Sequence, residues 1–166
     1  MRIKPAYSDM KKILSAIISI LSSALAVHLQ AQELPVNSDP DGITGTYFVS
    51  HEGENSKVKI YAAQDGSFTA QIIWVEDRLD SDGNVRLDEK NPDKSLRTTP
   101  CDQITIIEGL EFNPAKKRWD KGKIYDPTRG IRANVSCVFV SPDSLKVRGT
   151  LMGFGETIYW TRTRED

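Results

Sequence analysis

Residues 131–151 read IRANVSCVFVSPDSLKVRGTL, and their pattern of side chains indicates the fold class. On each side of Pro142-Asp143, small or apolar side chains alternate with polar ones: Ala133, Val135, Cys137 and Phe139 on one side, and Leu145, Val147, Gly149 and Leu151 on the other. A period of two is typical of a strand with one buried face, and a Pro-Asp pair is typical of a turn. The stretch therefore predicts an antiparallel β-hairpin.

The same alternation and similar turns recur along the chain. Phe68, Ala70, Ile72 and Trp74, for example, alternate with Thr69 and Gln71. The turn signals separate eight predicted strands, near residues 43–50, 56–63, 67–76, 103–111, 118–126, 131–140, 144–152 and 156–163. No sustained helical period is found between them.

Eight short sequential strands predict an all-β fold with a single antiparallel up-and-down β-barrel, because closure removes the unpaired edges that an open sheet exposes. A two-sheet sandwich is the alternative, but its crossovers usually need longer links than these. The one long link, near residues 77–102, is then expected to be a loop over one mouth of the barrel.

The N-terminal segment has the order of an export signal. Lys11 and Lys12 precede an apolar run from Ile13 to Val27, and Ala31 follows as a small residue at a cleavage position. The run is shorter than the ~20 residues that span a bilayer, and no cysteine ends it, so neither a retained membrane helix nor a lipoprotein is expected. We predict a signal peptide at 1–31, a linker at 32–42 and a barrel domain at 43–166, in a periplasmic or secreted protein without a transmembrane segment.

The net charge argues against two classes of partner. Removal of residues 1–31 takes away four basic residues and one acidic residue, which leaves 18 basic against 22 acidic residues. The resulting net charge of −4 is mild, and the lysines and arginines are scattered. Nucleic acids and anionic lipid surfaces attract clustered positive charge, so neither is an expected partner.

Cys101 and Cys137 are the two cysteines of the chain. Export permits a disulfide between them. The alternative is that Cys137 is a small buried strand residue and Cys101 ends a loop. Two cysteines without nearby histidines do not make a zinc site, and no C-x-x-C spacing is present for redox chemistry. We therefore expect neither a metal nor a cofactor.

Several motifs follow one another along the mature chain. They are Asp88-x-x-Asn91-Pro92-Asp93 with Leu96-Arg97, Trp119-x-x-Gly122-x-Ile124-Tyr125-Asp126-Pro127-x-x-Gly130, Leu145-x-Val147-Arg148-Gly149, and Trp160-x-Arg162. In this order they resemble the bacterial envelope family catalogued as domain of unknown function 2147, from Gly45 to Arg162. The resemblance implies a signal-bearing, lipocalin-like barrel of the calycin type, and it brings no assigned activity.

Two positions depart from the family's pattern. Cys101 stands where glycine usually precedes the apolar strand, and Ala133 stands where an aromatic residue commonly follows the turn after Tyr125. If that aromatic residue lines a pocket in relatives, the pocket is expected to be wider here. A looser resemblance to lipocalin-type barrels implies that Gly45-Thr46-Tyr47 packs against Arg162 or Arg164 at the closed end.

The aromatic residues leave two states of the barrel interior open. An eight-stranded barrel either fills its interior with side chains or keeps room for one small ligand. In the second case the apolar cavity is expected to be lined by Phe68, Ile72, Trp74, Trp119, Tyr125, Val135, Phe139 and Trp160. Alternation alone does not choose between the two states.

The candidate polar residues of a mouth are Asp88, Asn91, Asp93, Arg97, Asp126 and Arg148. Loop architecture explains the first four, because Asn and Asp side chains satisfy backbone donors and arginine clamps a carboxylate. The functional alternative is that Arg97 and Asp126 hold the polar end of a ligand or dock a partner. Arg148 alternates with Leu145 and Val147, which predicts that it faces outward in a solvated ion pair.

The loop Asp80-Ser81-Asp82-Gly83-Asn84 superficially resembles a calcium loop. Asn91 stands where the carboxylate of the twelfth position is required, so an EF-hand is excluded and ordinary turn chemistry is expected. Catalytic motifs are also missing: the chain has no Gly-x-Ser-x-Gly elbow, no phosphate-binding glycine loop and no His-Glu-x-x-His helix.

These observations predict a non-catalytic envelope protein that binds a small amphipathic or lipid-like ligand. The first alternative is an interaction or structural module with a solid barrel core, whose partner is another envelope protein. The second alternative is a hydrolase that uses the loop carboxylate of Asp88 or Asp93.

Overall fold

The computed structural model describes residues 34–163. The strands are β1 Gly45–His51, β2 Glu54–Ala62, β3 Phe68–Val75, β4 Thr105–Asn113, β5 Arg118–Asp126, β6 Ile131–Ser141, β7 Ser144–Leu151 and β8 Phe154–Arg162. They pair antiparallel in chain order, and β8 pairs with β1 to close the barrel. The predicted eight-stranded up-and-down barrel is confirmed, with strand ends displaced by no more than about two residues.

The predicted signal peptide at residues 1–31 lies outside the described residues, and so does Arg164. The helices within residues 34–163 are short 3₁₀ segments, Pro35–Ser38, Pro40–Ile43 and Lys94–Leu96. None of them has the length and apolar character needed to cross a membrane.

Side chains alternate between the barrel interior and its outer face, as the period of two predicts. In β7, Leu145 and Val147 are buried, whereas Arg148 is exposed. Arg148 therefore faces outward, and its Nη1 donates to the Thr157 hydroxyl at 3.3 Å. Its partner is thus a neutral hydroxyl on β8, where an ion pair was expected.

One end of the barrel is filled by aromatic side chains. Trp119 is fully buried, and its ring centroid lies 5.3 Å from that of Phe112 and 5.9 Å from that of Phe139. Phe68 and Val135 are buried in the same continuous core. Aromatic pairs at these separations pack favourably, so this part of the interior is solid.

A bulge in β3 turns Trp74 to the outer face. Val58 pairs with Ile72, but its neighbour Lys57 pairs with Trp74, so β3 contains one extra residue at this point. The extra residue reverses the alternation, and Ile73 and Trp74 are 42% and 41% exposed. The Lys57 ammonium lies 5.7 Å from the Trp74 ring centroid. The structure thus corrects the prediction that Trp74 faces the interior.

The described part of the predicted linker closes the solid end of the barrel, which we call the base. The indole Nε1 of Trp119 donates to the Pro40 carbonyl at 2.9 Å. Asn37 donates to the Phe139 carbonyl and accepts from the Phe139 amide, each at 2.9 Å. Residues 34–43 are therefore part of the folded unit and cover its core.

Arg162 joins the last strand to the first at the base. Its Nη1 donates to the Thr44 carbonyl at 2.7 Å, and its Nη2 donates to the Gly42 carbonyl at 2.5 Å. A Cβ at Gly45 would lie 2.9 Å from Arg162 Nη1, so glycine leaves the room that the guanidinium needs. The pairing expected between Gly45-Thr46-Tyr47 and an arginine is formed here by Arg162, which lies over the Tyr47 ring.

The long link between β3 and β4 begins with a small hairpin. A bridge joins Leu79 to Val85, and the Asp80 carboxylate accepts the amides of Asp82 and Asn84 at 2.9 and 2.8 Å. These hydrogen bonds hold the pKa of Asp80 below its ordinary value. The segment that superficially resembles a calcium loop is thus an Asx-type turn.

Both cysteines are buried free thiols, which corrects the alternative of a disulfide. Cys137 lies inside the barrel on β6, where burial raises the pKa of its thiol. Cys101 lies in the loop before β4, and its Sγ contacts the Arg78 carbonyl at 3.7 Å. The two thiols are held in separate surroundings, one in the barrel and one in the loop, so they do not meet.

Candidate functional site

An up-and-down barrel places alternate connections at the same end. The β2–β3, β4–β5 and β6–β7 turns lie at the base, and the β1–β2, β5–β6 and β7–β8 turns lie with the β3–β4 loop at the other end, the mouth. Residues 34–43 cover the base. A ligand site inside the barrel is therefore reached through the mouth.

A cavity of about 580 Å³ opens at the mouth. Its apolar wall consists mainly of Val49, Ile72, Val75, Ile106, Ile124, Ala133, Val147, Ile158 and Trp160. Small residues lie on one side, where a Cβ at Gly149 would be in ordinary contact with Ile124 Cγ2 at 3.5 Å and with the Ala133 Cβ at 4.0 Å. Both states that the sequence left open are present in one barrel: the base is solid and the mouth half is hollow.

Three of the residues predicted to line a cavity do so, namely Ile72, Tyr125 and Trp160. Phe68, Trp119, Val135 and Phe139 are buried in the packed core instead, and Trp74 is outside. Alternation identifies which side chains point inward, but it does not give their height along the barrel axis. Ala133, where the family resemblance indicated a wider pocket, is part of the wall.

Charged side chains at the mouth are organised around Arg129. Its guanidinium contacts the Glu52 carboxylate, and its Nη1 lies 3.0 Å from Glu156 Oε2 and 3.5 Å from Asp126 Oδ2. Hydrogen bonding to Glu156 and the charges of Glu52 and Asp126 raise the pKa of Arg129. We call Glu52, Asp126 and Glu156 the acidic rim. It places three carboxylates around one guanidinium.

The turn between β7 and β8 carries exposed apolar side chains at the edge of the cavity. Met152 is 92% exposed and Phe154 is 83% exposed. Met152 has φ 50° and Gly153 has φ 87°, which is the geometry of a two-residue hairpin turn that prefers Asn-Gly. Glu52, with φ 50°, begins the β1–β2 turn in the same way. Met152 and Glu52 thus both have a backbone conformation that L-residues rarely adopt.

Asp88 and Asn91 are buried, and they hold the loop together. Asn91 Nδ2 donates to Asp88 Oδ2 at 2.6 Å, and the Tyr125 hydroxyl donates to Asp88 Oδ1 at 2.7 Å. Burial and this hydrogen bond raise the pKa of Tyr125. Arg97 Nε donates to the Asn91 carbonyl at 2.8 Å. Arg97 therefore braces the loop, as loop architecture predicts, whereas Asp126 lies on the rim, so the alternative in which the two residues hold a ligand together is corrected.

The β3–β4 loop lies beside the mouth, which corrects the expectation of a loop over it. Lys90 Nζ donates to the Thr128 carbonyl at 2.6 Å, which attaches the loop to the β5–β6 turn. Asp93 accepts the Ser95 amide at 2.9 Å, and it caps the short helix Lys94–Leu96. The cavity wall is built from strand and turn residues, and residues 77–102 do not contribute to it.

His51, Glu52 and Glu156 offer metal-ligand atoms that lie within 4.8 Å of one another, a grouping found among the described residues. His51 Nε2 lies 3.6 Å from Glu156 Oε1. The Arg129 guanidinium already contacts both carboxylates. We therefore describe the group as an ion-pair network on the rim.

His51, Glu52, Arg129 and Glu156 were not among the predicted functional residues. Each lies at a strand end or in a tight turn, where solvation alone is enough to explain a polar residue. The strand order of the barrel would have predicted that these residues lie close together. In an up-and-down barrel the β1–β2, β5–β6 and β7–β8 connections lie at the same end, so charged residues at those connections meet.

Comparison with known proteins agrees with this architecture. Residues 45–162 match the model of a family described as uncharacterized protein conserved in bacteria (DUF2147). A solved structure, protein HP1028 from the human pathogen Helicobacter pylori, is described as belonging to the lipocalin family. It aligns with a TM-score of 0.60 and 24% identity, over 74% of this chain and 84% of that chain. This likeness shows a shared lipocalin-like fold.

Among curated proteins, no match to the chain was found. The family match is therefore the basis for classification, and it runs from the first residue of β1 to the last residue of β8. The chain belongs to the bacterial family DUF2147.

Proposed function

We propose that this chain is a non-catalytic binding protein of the cell envelope, which takes up a small amphipathic molecule through the mouth of its barrel. The cavity of about 580 Å³, with its apolar wall and charged rim, is the observation that carries the proposal. Small-molecule sites are typically clefts of roughly 300–1,000 Å³ with mostly apolar walls and a few polar groups.

The wall favours an apolar chain. Deep in the cavity the side chains are aliphatic, such as Ile106 and Val147, together with the Trp160 indole. The Trp160 ring centroid lies 6.1 Å from that of Tyr47 in the base, so Trp160 separates the cavity from the solid core. Because hydrophobic contact is non-directional, such a wall selects for length and bulk rather than for a particular functional group.

The two other functions considered from the sequence gain less support. A solid-core interaction module does not require a cavity of this size. Asp88 and Asp93, the carboxylates considered for hydrolysis, hold the loop and do not line the cavity. Their positions give no support to a hydrolase.

The envelope location rests on the sequence of residues 1–31. N-terminal sequencing of the protein from the periplasmic fraction of its host tests that part. We expect the mature chain to begin after Ala26 or Ala31. An intact Met1 terminus in the cytoplasmic fraction would place the protein elsewhere.

Native mass spectrometry of protein purified from its own host tests ligand binding. The wild type is expected to carry a copurified small molecule that organic solvent extracts. Ala133→Trp places a large ring in the cavity wall and should remove that species. Val140→Trp adds the same ring on the outer face of the same strand, where Val140 is 51% exposed, and should keep it. Retention of the species by Ala133→Trp would argue that it binds elsewhere.

A further inference from the structure

We infer that the polar end of the ligand is cationic, an amine or a quaternary ammonium group held at the acidic rim. This inference rests on the proposed function and names the ligand class of the same cavity. Three carboxylates, Glu52, Asp126 and Glu156, surround the single guanidinium of Arg129. The carboxylates therefore outnumber the guanidinium by two, and two of them, Asp126 and Glu156, line the cavity where the polar end of a bound amphiphile would lie.

An anionic head group finds no open partner at this rim. Among the residues that line the cavity, Arg129 is the one arginine or lysine. Its guanidinium is already engaged by the acidic rim. A carboxylate or phosphate would have to displace one of these groups, and it would then lie close to the others, where like charges repel.

The neighbouring basic residues Arg86 and Lys90 are engaged by other groups. Arg86 Nη2 lies 2.7 Å from Glu54 Oε1, so that pair is balanced by itself. Lys90 donates to the Thr128 carbonyl, on the loop side of the β5–β6 turn. His51 faces Glu156 at 3.6 Å and is the remaining basic side chain of the cavity wall, and even a charged imidazole would leave one negative charge in excess.

The rim also offers a face that suits a quaternary ammonium group. Phe154 lies at the edge of the cavity, two residues before Glu156, and the residue is 83% exposed. Aromatic faces attract cations, and they do so best where water is partly excluded. A carboxylate and a ring on the same strand end can therefore contact one head group together.

Three amphiphiles that share a decyl chain and differ in the charge of the head group test this inference separately from the proposed function. Isothermal titration calorimetry, below the critical micelle concentrations, measures Kd for decyltrimethylammonium, decanol and decanoate on the full mature protein. We expect the ammonium compound to bind about threefold to tenfold more tightly than decanol, and decanoate to bind most weakly. Added salt should reduce the differences, because rim charges are partly exposed and screened.

Variants assign the preference to the rim. In Glu52→Gln/Glu156→Gln, the preference for the ammonium compound is expected to fall to within about twofold, and decanoate should gain because Arg129 is released. Glu111→Gln is the matched control, since Glu111 is an exposed carboxylate paired with Lys121 at 2.6 Å on the outer face of β4 and β5. It should keep the wild-type order.

The outcomes are distinct. Decanoate binding as tightly as the ammonium compound, or an unchanged preference in the double variant, overturns the inference while the cavity remains a ligand site. Failure of the wild type to bind any of the three compounds overturns the proposed function itself.

Discussion

Arg162 and Tyr47 are joined by two contacts at once. The guanidinium carbon lies 5.1 Å from the tyrosine ring centroid, and Nη2 donates to the phenol oxygen at 2.9 Å. The Tyr47 hydroxyl in turn donates to the Ile43 carbonyl at 2.6 Å. Residue pairs between β1 and β8 are few, Tyr47 with Arg162 and Phe48 with Thr161, and the Thr163 amide donates to the Thr46 carbonyl at 2.8 Å, so the Arg162 side chain reinforces a short backbone ladder.

Arg162→Ala is expected to lower the free energy of unfolding by about 2–4 kcal/mol. It removes charge-assisted hydrogen bonds to two backbone carbonyls and the contact with the Tyr47 ring. Urea unfolding monitored by circular dichroism measures the change. Arg148→Ala removes an arginine from the outer face of β7 and should cost less than about 0.5 kcal/mol. Equal losses for the two variants would contradict the role assigned to Arg162.

Tyr47 and Tyr125 are expected to stay protonated in the folded chain above pH 10. Burial raises the pKa of both tyrosines. The charge of Arg162 opposes this effect at Tyr47, whereas the hydrogen bond to Asp88 adds to it at Tyr125. An unfolded chain loses these protons near pH 10, so above that pH it binds fewer protons than the folded chain. The contribution of the two tyrosines to the free energy of unfolding is fully present below pH 10. Above that pH the free energy of unfolding falls by about 1.4 kcal/mol per pH unit for each buried tyrosine.

The tyrosine prediction is measured by ultraviolet absorbance of tyrosinate and by urea unfolding at a series of pH values. Tyr125→Phe removes one of the two groups, so its stability should fall less steeply above pH 10 than that of the wild type. The same slope in both proteins would show that Tyr125 ionises normally in the fold.

Asp88→Asn should destabilise the chain by about 1–3 kcal/mol. An amide in this buried position cannot accept from both the Tyr125 hydroxyl and Asn91 Nδ2. Asp93→Asn is the control, because Asp93 is exposed and an amide oxygen can still accept the Ser95 amide. Thermal unfolding of the two variants gives the comparison. A larger loss for Asp93→Asn would mean that the loop is held differently.

Met152→Asn is expected to raise stability by about 0.5–1 kcal/mol. Met152 and Gly153 both have positive φ, and Asn tolerates the first of these positions better than an unbranched apolar residue does. Gly153→Ala at φ 87° should have the opposite effect. Urea midpoints of the two variants measure both changes, and a destabilised Met152→Asn would indicate that the Met152 side chain makes a contact of its own.

The hairpin at residues 131–151 could be predicted because its alternation and its turn agree with the register that forms, in which Cys137 pairs with Val147. Trp74 could not be predicted, because one extra residue at a bulge reverses the face of every later side chain on that strand. Nothing in a period of two marks such a residue.

The site was harder to predict than the fold. Whether Phe139 or Trp160 lines a cavity depends on height along the barrel, which is set by strand stagger rather than by local sequence. Arg129 and Glu156 are distant in sequence, and they meet only because their connections share the mouth. The polar cluster of Asp88 and Asn91 was conspicuous in sequence for a structural reason, since buried polar groups must be paired.

The three tryptophans allow the most direct test of the cavity as the ligand site, because they lie in three places. Trp160 lies in the cavity wall, Trp119 is bonded to Pro40 in the base, and Trp74 is on the outer face. A ¹⁵N-labelled sample titrated with decanol gives one indole signal for each, assigned through single Trp→Phe variants. We predict that the Trp160 signal shifts with saturation while the Trp119 and Trp74 signals stay in place. A shift of Trp74 alone, or no shift of Trp160, would contradict binding inside the barrel.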